Sequence, residues 1–105
     1  MDFIKRDELI NLFETYKLLL TSKQIKYFTD YYLDDLSLAE ISENYGVSRS
    51  AVFDQIKKVS LNLETLESKL KINYKNKKIL ELLDSKDFNK EAIRTIIEEW
   101  FYGVW

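Results

Sequence analysis

The chain has 105 residues, of which 46% are hydrophobic, and this content suits a folded domain rather than a disordered segment. It contains neither histidine nor cysteine, which excludes the commonest general base, thiolate metal sites and disulfides. The formal net charge of −2 offers no general attraction to nucleic acid. With no proline and only two glycines, little interrupts helices, and no segment suits a membrane span or a signal peptide. We therefore expect an all-α cytoplasmic protein with no enzymatic activity, no cofactor and no metal.

A first helix is predicted over residues 5–16 by apolar residues that recur at helical spacing: Leu9, Leu12, Phe13 and Tyr16. After three leucines, the segment "TSKQ" indicates the start of a second helix, because Thr21 and Gln24 have the spacing of a capping box. In such a box, each side chain bonds the backbone N–H of the other residue. We expect the second helix to bury Ile25, Phe28 and Tyr32, and to leave Tyr27 and Tyr31 nearer the surface.

Two short helices joined by a glycine turn are predicted next, and this is the layout of a helix-turn-helix. Ser37 and Glu40 have the spacing of a second capping box. Gly46 stands where a helix end favours a residue in the left-handed conformation. Val47 is expected to tuck under this turn, and Ser48 is expected to cap the helix that follows.

A long helix from Ser48 to about Lys71 is predicted by a heptad stripe of apolar residues: Val52, Ile56, Val59, Leu63, Leu66 and Leu70. The first half of the stripe can close the core of the helix-turn-helix. The second half projects beyond that core and needs another partner, which is either the chain's own C-terminal segment or a second subunit. We favour a homodimer. One form of it would exchange helices between the two subunits.

A C-terminal extension of helices is expected over residues 72–105, packing on the long helix or on a partner subunit. A break is predicted at residues 85–87, and the last helix has one broad apolar face: Ala92, Ile93, Ile96, Ile97, Trp100, Phe101 and Val104. We expect Trp100 and Phe101 to pack in a core, whereas Trp105 suits either a core or a partner surface. The predicted fold is thus a three-helix bundle with a helix-turn-helix, a long fourth helix and this extension, divided into residues 1–71 and 72–105.

Candidate nucleic-acid contacts lie on the second helix of the motif: Ser48, Arg49, Ser50, Phe53, Asp54, Lys57 and Lys58. The N-terminal residues of such a helix meet base edges in the major groove. Arg49 suits a guanine, the two serines suit phosphates or bases, and the two lysines suit the backbone.

Local charge weakens this prediction. The three cations in residues 37–62 are matched by three acids, and Asp54 would repel a phosphate if it faced the groove. The same face can instead be solvated or bind a protein. A second basic stretch, "KINYKNKK", contains an aromatic residue and suits an RNA contact. We favour a solvated helix end there, because the eight cations from Leu63 onward are balanced by eight acids.

The segment "LTSKQIKYFTDYYLDDLSLAEISENYGVSRSAVFDQIKK" resembles the promoter-binding fourth region of sigma factors. It is more similar to the YlxM family of small bacterial proteins, through "YYLDDLSLAEI", "VSRSAVFDQIKK" and the "LETLESKL" tail. The resemblance extends from about Leu20 to Leu70. It implies a helix-turn-helix whose nucleic-acid contacts are Ser48, Arg49, Ser50 and Lys57.

The same resemblance implies an accessory or regulatory role in the signal recognition particle pathway, with DNA or the particle's RNA as the ligand. The alternative is a protein-interaction module that contacts the particle's GTPase, binds no nucleic acid and catalyses no reaction.

Overall fold

A computed structural model describes residues 3–101, with side chains from Lys5 onward. Over this range the chain forms six α-helices and no strand: α1 Phe3–Tyr16, α2 Ser22–Phe28, α3 Leu38–Tyr45, α4 Arg49–Leu70, α5 Ile72–Leu83 and α6 Lys90–Phe101. The prediction of an all-α fold is confirmed. The chain divides into two compact units between Lys71 and Ile72. No helix in this described part is both long enough and apolar enough to cross a bilayer.

The core of the first unit is a single cluster of apolar and aromatic side chains from α1 to α4: Leu9, Phe13, Tyr16, Leu20, Tyr27, Phe28, Tyr32, Ile41, Val52, Ile56, Val59 and Leu63. Its centre is aromatic. The rings of Phe13 and Phe28 stack with centroids 4.3 Å apart, and Phe28 lies 4.6 Å from the ring of Tyr32. This cluster joins α1 to the helix-turn-helix, because each of the four helices contributes at least one fully buried residue.

Both predicted capping boxes are confirmed. The Gln24 N–H donates to the Thr21 hydroxyl at 3.1 Å, and the Glu40 N–H donates to the Ser37 hydroxyl at 3.1 Å. The reciprocal bonds from each cap residue's own N–H are also present. At the start of each helix, two backbone N–H groups that lack a partner within the helix are therefore satisfied by side chains three residues away.

The prediction for Tyr27 is wrong, because its side chain is buried while Tyr31 is half-buried. The ring of Tyr27 lies 5.0 Å from that of Tyr45 on α3. Helical spacing shows which residues share a face of α2, but it does not show that α3 covers a second face. Directly after α2 the backbone widens into a π-helical turn over Thr29–Leu33.

The heptad stripe of α4 is buried further along than predicted. Leu63 is fully buried and Leu66 is half-buried on the same core cluster, whereas Leu70 is 41% exposed. The expectation that this half of the stripe needs a partner from outside the first unit is wrong for Leu63 and Leu66. The reason is α1, which packs along α4 and completes the cluster.

The second unit contains α5 and α6, separated by residues 84–89, which include the predicted break at 85–87. Neither helix has a fully buried residue, because two helices alone cannot enclose a side chain on all sides. The prediction of a core position is wrong for Phe101, which is 80% exposed. Trp100 is half-buried, with the Lys75 Nζ 5.8 Å from its ring centroid. The predictions for Val104 and Trp105 concern residues outside the described range.

Candidate nucleic-acid interface

The turn between α3 and α4 is built by Gly46 in the left-handed conformation, with φ 65° and ψ 35°. The N–H groups of Gly46 and Val47 both donate to the Ser42 carbonyl, which closes the end of α3. No atom lies within 4 Å of a Cβ placed on Gly46, so the backbone conformation alone calls for glycine. The predicted helix-turn-helix turn is confirmed.

Val47 does not tuck under this turn as predicted, because its side chain is 37% exposed. Backbone hydrogen bonds close the turn, so no buried apolar contact is required there. Ser48 follows and caps α4 as predicted, its hydroxyl accepting a hydrogen bond from the Ala51 N–H at 3.0 Å.

All seven residues predicted to contact nucleic acid are exposed: Ser48, Arg49, Ser50, Phe53, Asp54, Lys57 and Lys58. They lie on the sides of α4 that the buried stripe does not occupy. Helical spacing places Arg49, Phe53 and Lys57 one turn apart, and we name these three residues the cation–aromatic row. Asp54 belongs to the adjacent row, one turn after Ser50.

The cations of this face are free of acidic partners. Among residues 3–101, none of Arg49, Lys57 and Lys58 forms an ion pair with a carboxylate. Phe53 is 52% exposed between the two cations of the row. The row therefore offers two unneutralised positive charges and an open aromatic face, which is the chemistry that phosphates and bases bind.

An apolar groove lies beside the row, and we name it the Phe53 groove. Its volume is about 290 Å³, and it is lined by Lys5, Leu9, Tyr31, Tyr32, Leu38, Phe53, Ile56, Lys57 and Ser60. Lys5 and Lys57 supply the only charges in this lining, and Lys5 lies 3.9 Å from the Glu64 carboxylate. The groove is large enough to accept one sizeable apolar side chain.

A second groove, which we name the lysine groove, borders the turn between α3 and α4. Its volume is about 420 Å³, and it is lined by Ser22, Lys23, Lys26, Tyr27, Tyr45 and Val47. The sequence reasoning missed the lysines of α2, because no local pattern shows that α2 lies beside the turn. The one signal in the sequence is a tyrosine on each helix, Tyr27 on α2 and Tyr45 on α3, whose rings pack together.

Tyr45 is held in place at the wall of the lysine groove. Its hydroxyl donates to the Asp30 carboxylate at 2.7 Å, and this hydrogen bond raises the pKa of Tyr45 to about 12. Its ring packs on that of Tyr27. The hydroxyl and one face of the ring are therefore engaged within the protein.

The comparisons with known proteins agree with this geometry. The model of the family UPF0122, described as "Putative helix-turn-helix protein, YlxM / p13 like", matches residues 3–100. The chain belongs to this YlxM-like family. The resemblance read from the sequence is confirmed, and family membership extends beyond Leu70 through α5 and most of α6.

Relatives of this YlxM-like protein occur in several bacteria. A UPF0122 protein of Fusobacterium nucleatum is 46% identical over 93 residues, which cover 87% of this chain and 90% of the relative. One from Halalkalibacterium halodurans is 49% identical over 82 residues, covering 78% and 72% respectively. One from Streptococcus pyogenes serotype M5 is 51% identical over 70 residues, covering 67% of this chain and 62% of the relative.

Proposed function

We propose that this YlxM-like protein binds nucleic acid through the exposed face of α4, as an accessory or regulatory factor of the signal recognition particle pathway. The observation that carries the proposal is the cation–aromatic row, which is exposed at the start of a helix presented by the Gly46 turn. The ligand is DNA or the particle's RNA. The protein acts by binding and carries out no catalytic step.

Each residue of the face has a role in this proposal. Arg49 suits the acceptors of a guanine edge, and Lys57 suits a phosphate. The exposed ring of Phe53 suits a thymine methyl group or an unstacked base. Ser48 and Ser50 supply short hydroxyl donors, although Ser48 also caps α4.

Lys58 and Asp54 lie next to the row and have opposite effects. Lys58 adds a phosphate contact, whereas the Asp54 carboxylate repels phosphates and limits how the ligand approaches the face. Replacing Asp54 by asparagine is therefore expected to strengthen binding, and this change separates electrostatic contact from a purely structural effect.

The test is equilibrium binding, by fluorescence anisotropy, of the particle's RNA and of genomic DNA fragments at low and moderate salt. Arg49→Ala and Lys57→Ala are expected to weaken binding, and Asp54→Asn to strengthen it. Lys86→Ala, an exposed charge change in the second unit, is the matched control and should leave affinity unchanged. Binding that is unaffected by all three changes on α4 would overturn the proposal.

A second candidate function follows from the Phe53 groove. Its apolar walls and two lysines suit a partner helix that inserts a large apolar side chain flanked by carboxylates. We infer that the particle's GTPase is the source of that helix, if the protein acts as an interaction module. In a pull-down with the GTPase, Lys5→Glu should abolish capture while Arg49→Ala leaves it intact. The reverse pattern would contradict this function and favour nucleic-acid binding.

The proposal includes a homodimer, since two copies double the number of cations that meet a two-fold symmetric ligand. The buried part of the α4 stripe is not its seam, because Leu63 is fully enclosed by the chain's own first unit. Light scattering at micromolar concentration is expected to give twice the chain mass of 12.6 kDa. A species of one chain mass would remove the dimer and leave a single binding face.

A further inference from the structure

We propose that Lys23 and Lys26 of α2 form a second contact with the sugar–phosphate backbone of a nucleic acid bound at α4. This inference rests on the proposed function and names a surface that the helix-turn-helix segment alone does not contain. The partner is the phosphodiester backbone, so the contact does not depend on base sequence.

The first step of the argument is position. Lys23 and Lys26 line one side of the lysine groove, and Tyr45 and Val47 line the other. Val47 directly precedes the cap of α4, and two residues span at most about 7 Å of backbone before Arg49. The two lysines therefore border the same turn that presents the cation–aromatic row, and one strand of nucleic acid can run past both.

The second step is charge. Neither lysine forms an ion pair within the part of the chain that the structure describes. Lys26 is exposed, and the Lys23 Nζ lies 5.8 Å from the ring centroid of Tyr27, which orients its charge without neutralising it. With the three cations of α4, these two lysines bring the exposed cations of α2 and α4 near the motif to five.

Four acids, Asp30, Glu40, Glu43 and Asp54, reduce the charge of these five cations but do not reverse it. The Asp30 carboxylate accepts the Tyr45 hydroxyl at 2.7 Å, which fixes its position but leaves its negative charge in place. Glu40 is engaged at the start of α3, where it accepts the Ser37 N–H at 3.2 Å. Glu43 is an exposed acid on α3, and it forms no ion pair with the described residues.

The third step is the kind of contact that the groove permits. Tyr45 has its hydroxyl bonded to Asp30 and one face of its ring packed on Tyr27. The groove offers two lysine ammonium groups beside this fixed ring, which suits charge pairing with phosphates. Lysine suits this contact because its ammonium group is a flexible point charge with three donors.

The test is the salt dependence of binding to duplex DNA and to the particle's RNA. Each phosphate contact contributes about −0.9 to the slope of log K against log salt for B-DNA. In the double variant Lys23→Ala with Lys26→Ala, the slope of log K against log salt is expected to become less negative by up to about 2. Binding should weaken by the same factor for nucleic acids of related and unrelated base sequence. Lys23→Arg with Lys26→Arg should restore the slope, because it keeps both charges.

The control is the double variant Lys69→Ala with Lys86→Ala, which removes two exposed lysines elsewhere and should leave the slope unchanged. Circular dichroism confirms that each variant retains its helix content. A wild-type protein that binds no nucleic acid overturns both this inference and the proposed function. A different result overturns this inference alone. In that case the wild-type protein binds, Arg49→Ala weakens binding, and the Lys23→Ala with Lys26→Ala variant shows the same salt slope as wild type.

Discussion

The Tyr16 hydroxyl donates a hydrogen bond to the Glu67 carboxylate at 2.6 Å, across 51 residues of sequence. Tyr16 is the last residue of α1 and is almost fully buried, whereas Glu67 is half-buried in the last turns of α4. The bond adds to the packing of α1 along α4 and fastens α1 to the distal half of α4, which belongs to the first unit. The long helix is thus supported inside its own chain well beyond the helix-turn-helix.

Removing this hydroxyl should lower stability. Tyr16→Phe keeps the buried ring and loses the donor to a carboxylate, so we expect the free energy of unfolding to fall by about 1–3 kcal/mol. Urea denaturation followed by circular dichroism measures the change. Tyr31→Phe is the matched control, since its hydroxyl has no hydrogen-bond partner among residues 3–101, and a loss of equal size there would contradict the assignment.

The two ends of the α4 stripe should differ sharply in their contribution to stability. Leu63→Ala removes a fully buried side chain, and such changes cost about 2–5 kcal/mol. Leu70→Ala removes a side chain that is 41% exposed, and we expect a cost below about 1 kcal/mol. The same urea titration compares the two variants. Similar costs would show that the stripe is buried evenly, against the structure.

Replacing Gly46 should test the conformation of the turn. Gly46→Ala places a Cβ on a residue with φ 65°, where no neighbouring atom clashes, so the cost is that of the left-handed conformation, about 1–2 kcal/mol. Gly46→Asn should cost less, because asparagine tolerates this conformation better. Thermal unfolding of both variants measures the order. If alanine and asparagine are equally tolerated, the turn does not hold this conformation in solution.

The hydrogen bond between Tyr45 and Asp30 should give a signature at high pH. The pKa of Tyr45 is raised from 10.0 to about 12 in the folded protein, so its contribution to stability is fully present below pH 10 and is lost as pH rises toward 12. The difference in unfolding free energy between wild type and Tyr45→Phe should therefore be constant near pH 8 and shrink above pH 10. The other tyrosines titrate in both proteins, so their effect on the unfolding free energy cancels in this difference. A difference that is unchanged at high pH would mean that the hydroxyl is not bonded in the folded state.

Several features of this fold follow from interactions within a few residues, and these were predictable from the sequence. The two capping boxes, the Ser48 cap and the left-handed Gly46 each depend on bonds that span three or four residues. The stripe of α4 likewise depends on spacing along one helix. The exposure of the candidate face followed from this same spacing, because the residues opposite a buried stripe point outward.

Features that depend on which helices meet were not predictable in this way. Tyr27 is buried beside the ring of Tyr45 on α3, and Leu63 is enclosed because α1 continues along α4. Phe101 is exposed in a unit whose described part contains two helices. None of these outcomes is encoded in the spacing of the residues concerned. Each depends on contacts between side chains that are far apart in the chain.

The sequence by itself determined the helices, their caps and the turn that presents the start of α4, because local hydrogen bonds and helical periodicity act over one or two turns. Only the tertiary structure decided that the lysines of α2 border that turn. Charge counted along residues 37–62 sums to zero, but the field that a phosphate meets depends on distance in space. The contact between Tyr27 of α2 and Tyr45 of α3 places Lys23 and Lys26 beside the turn between α3 and α4, and no charge count over residues 37–62 includes them.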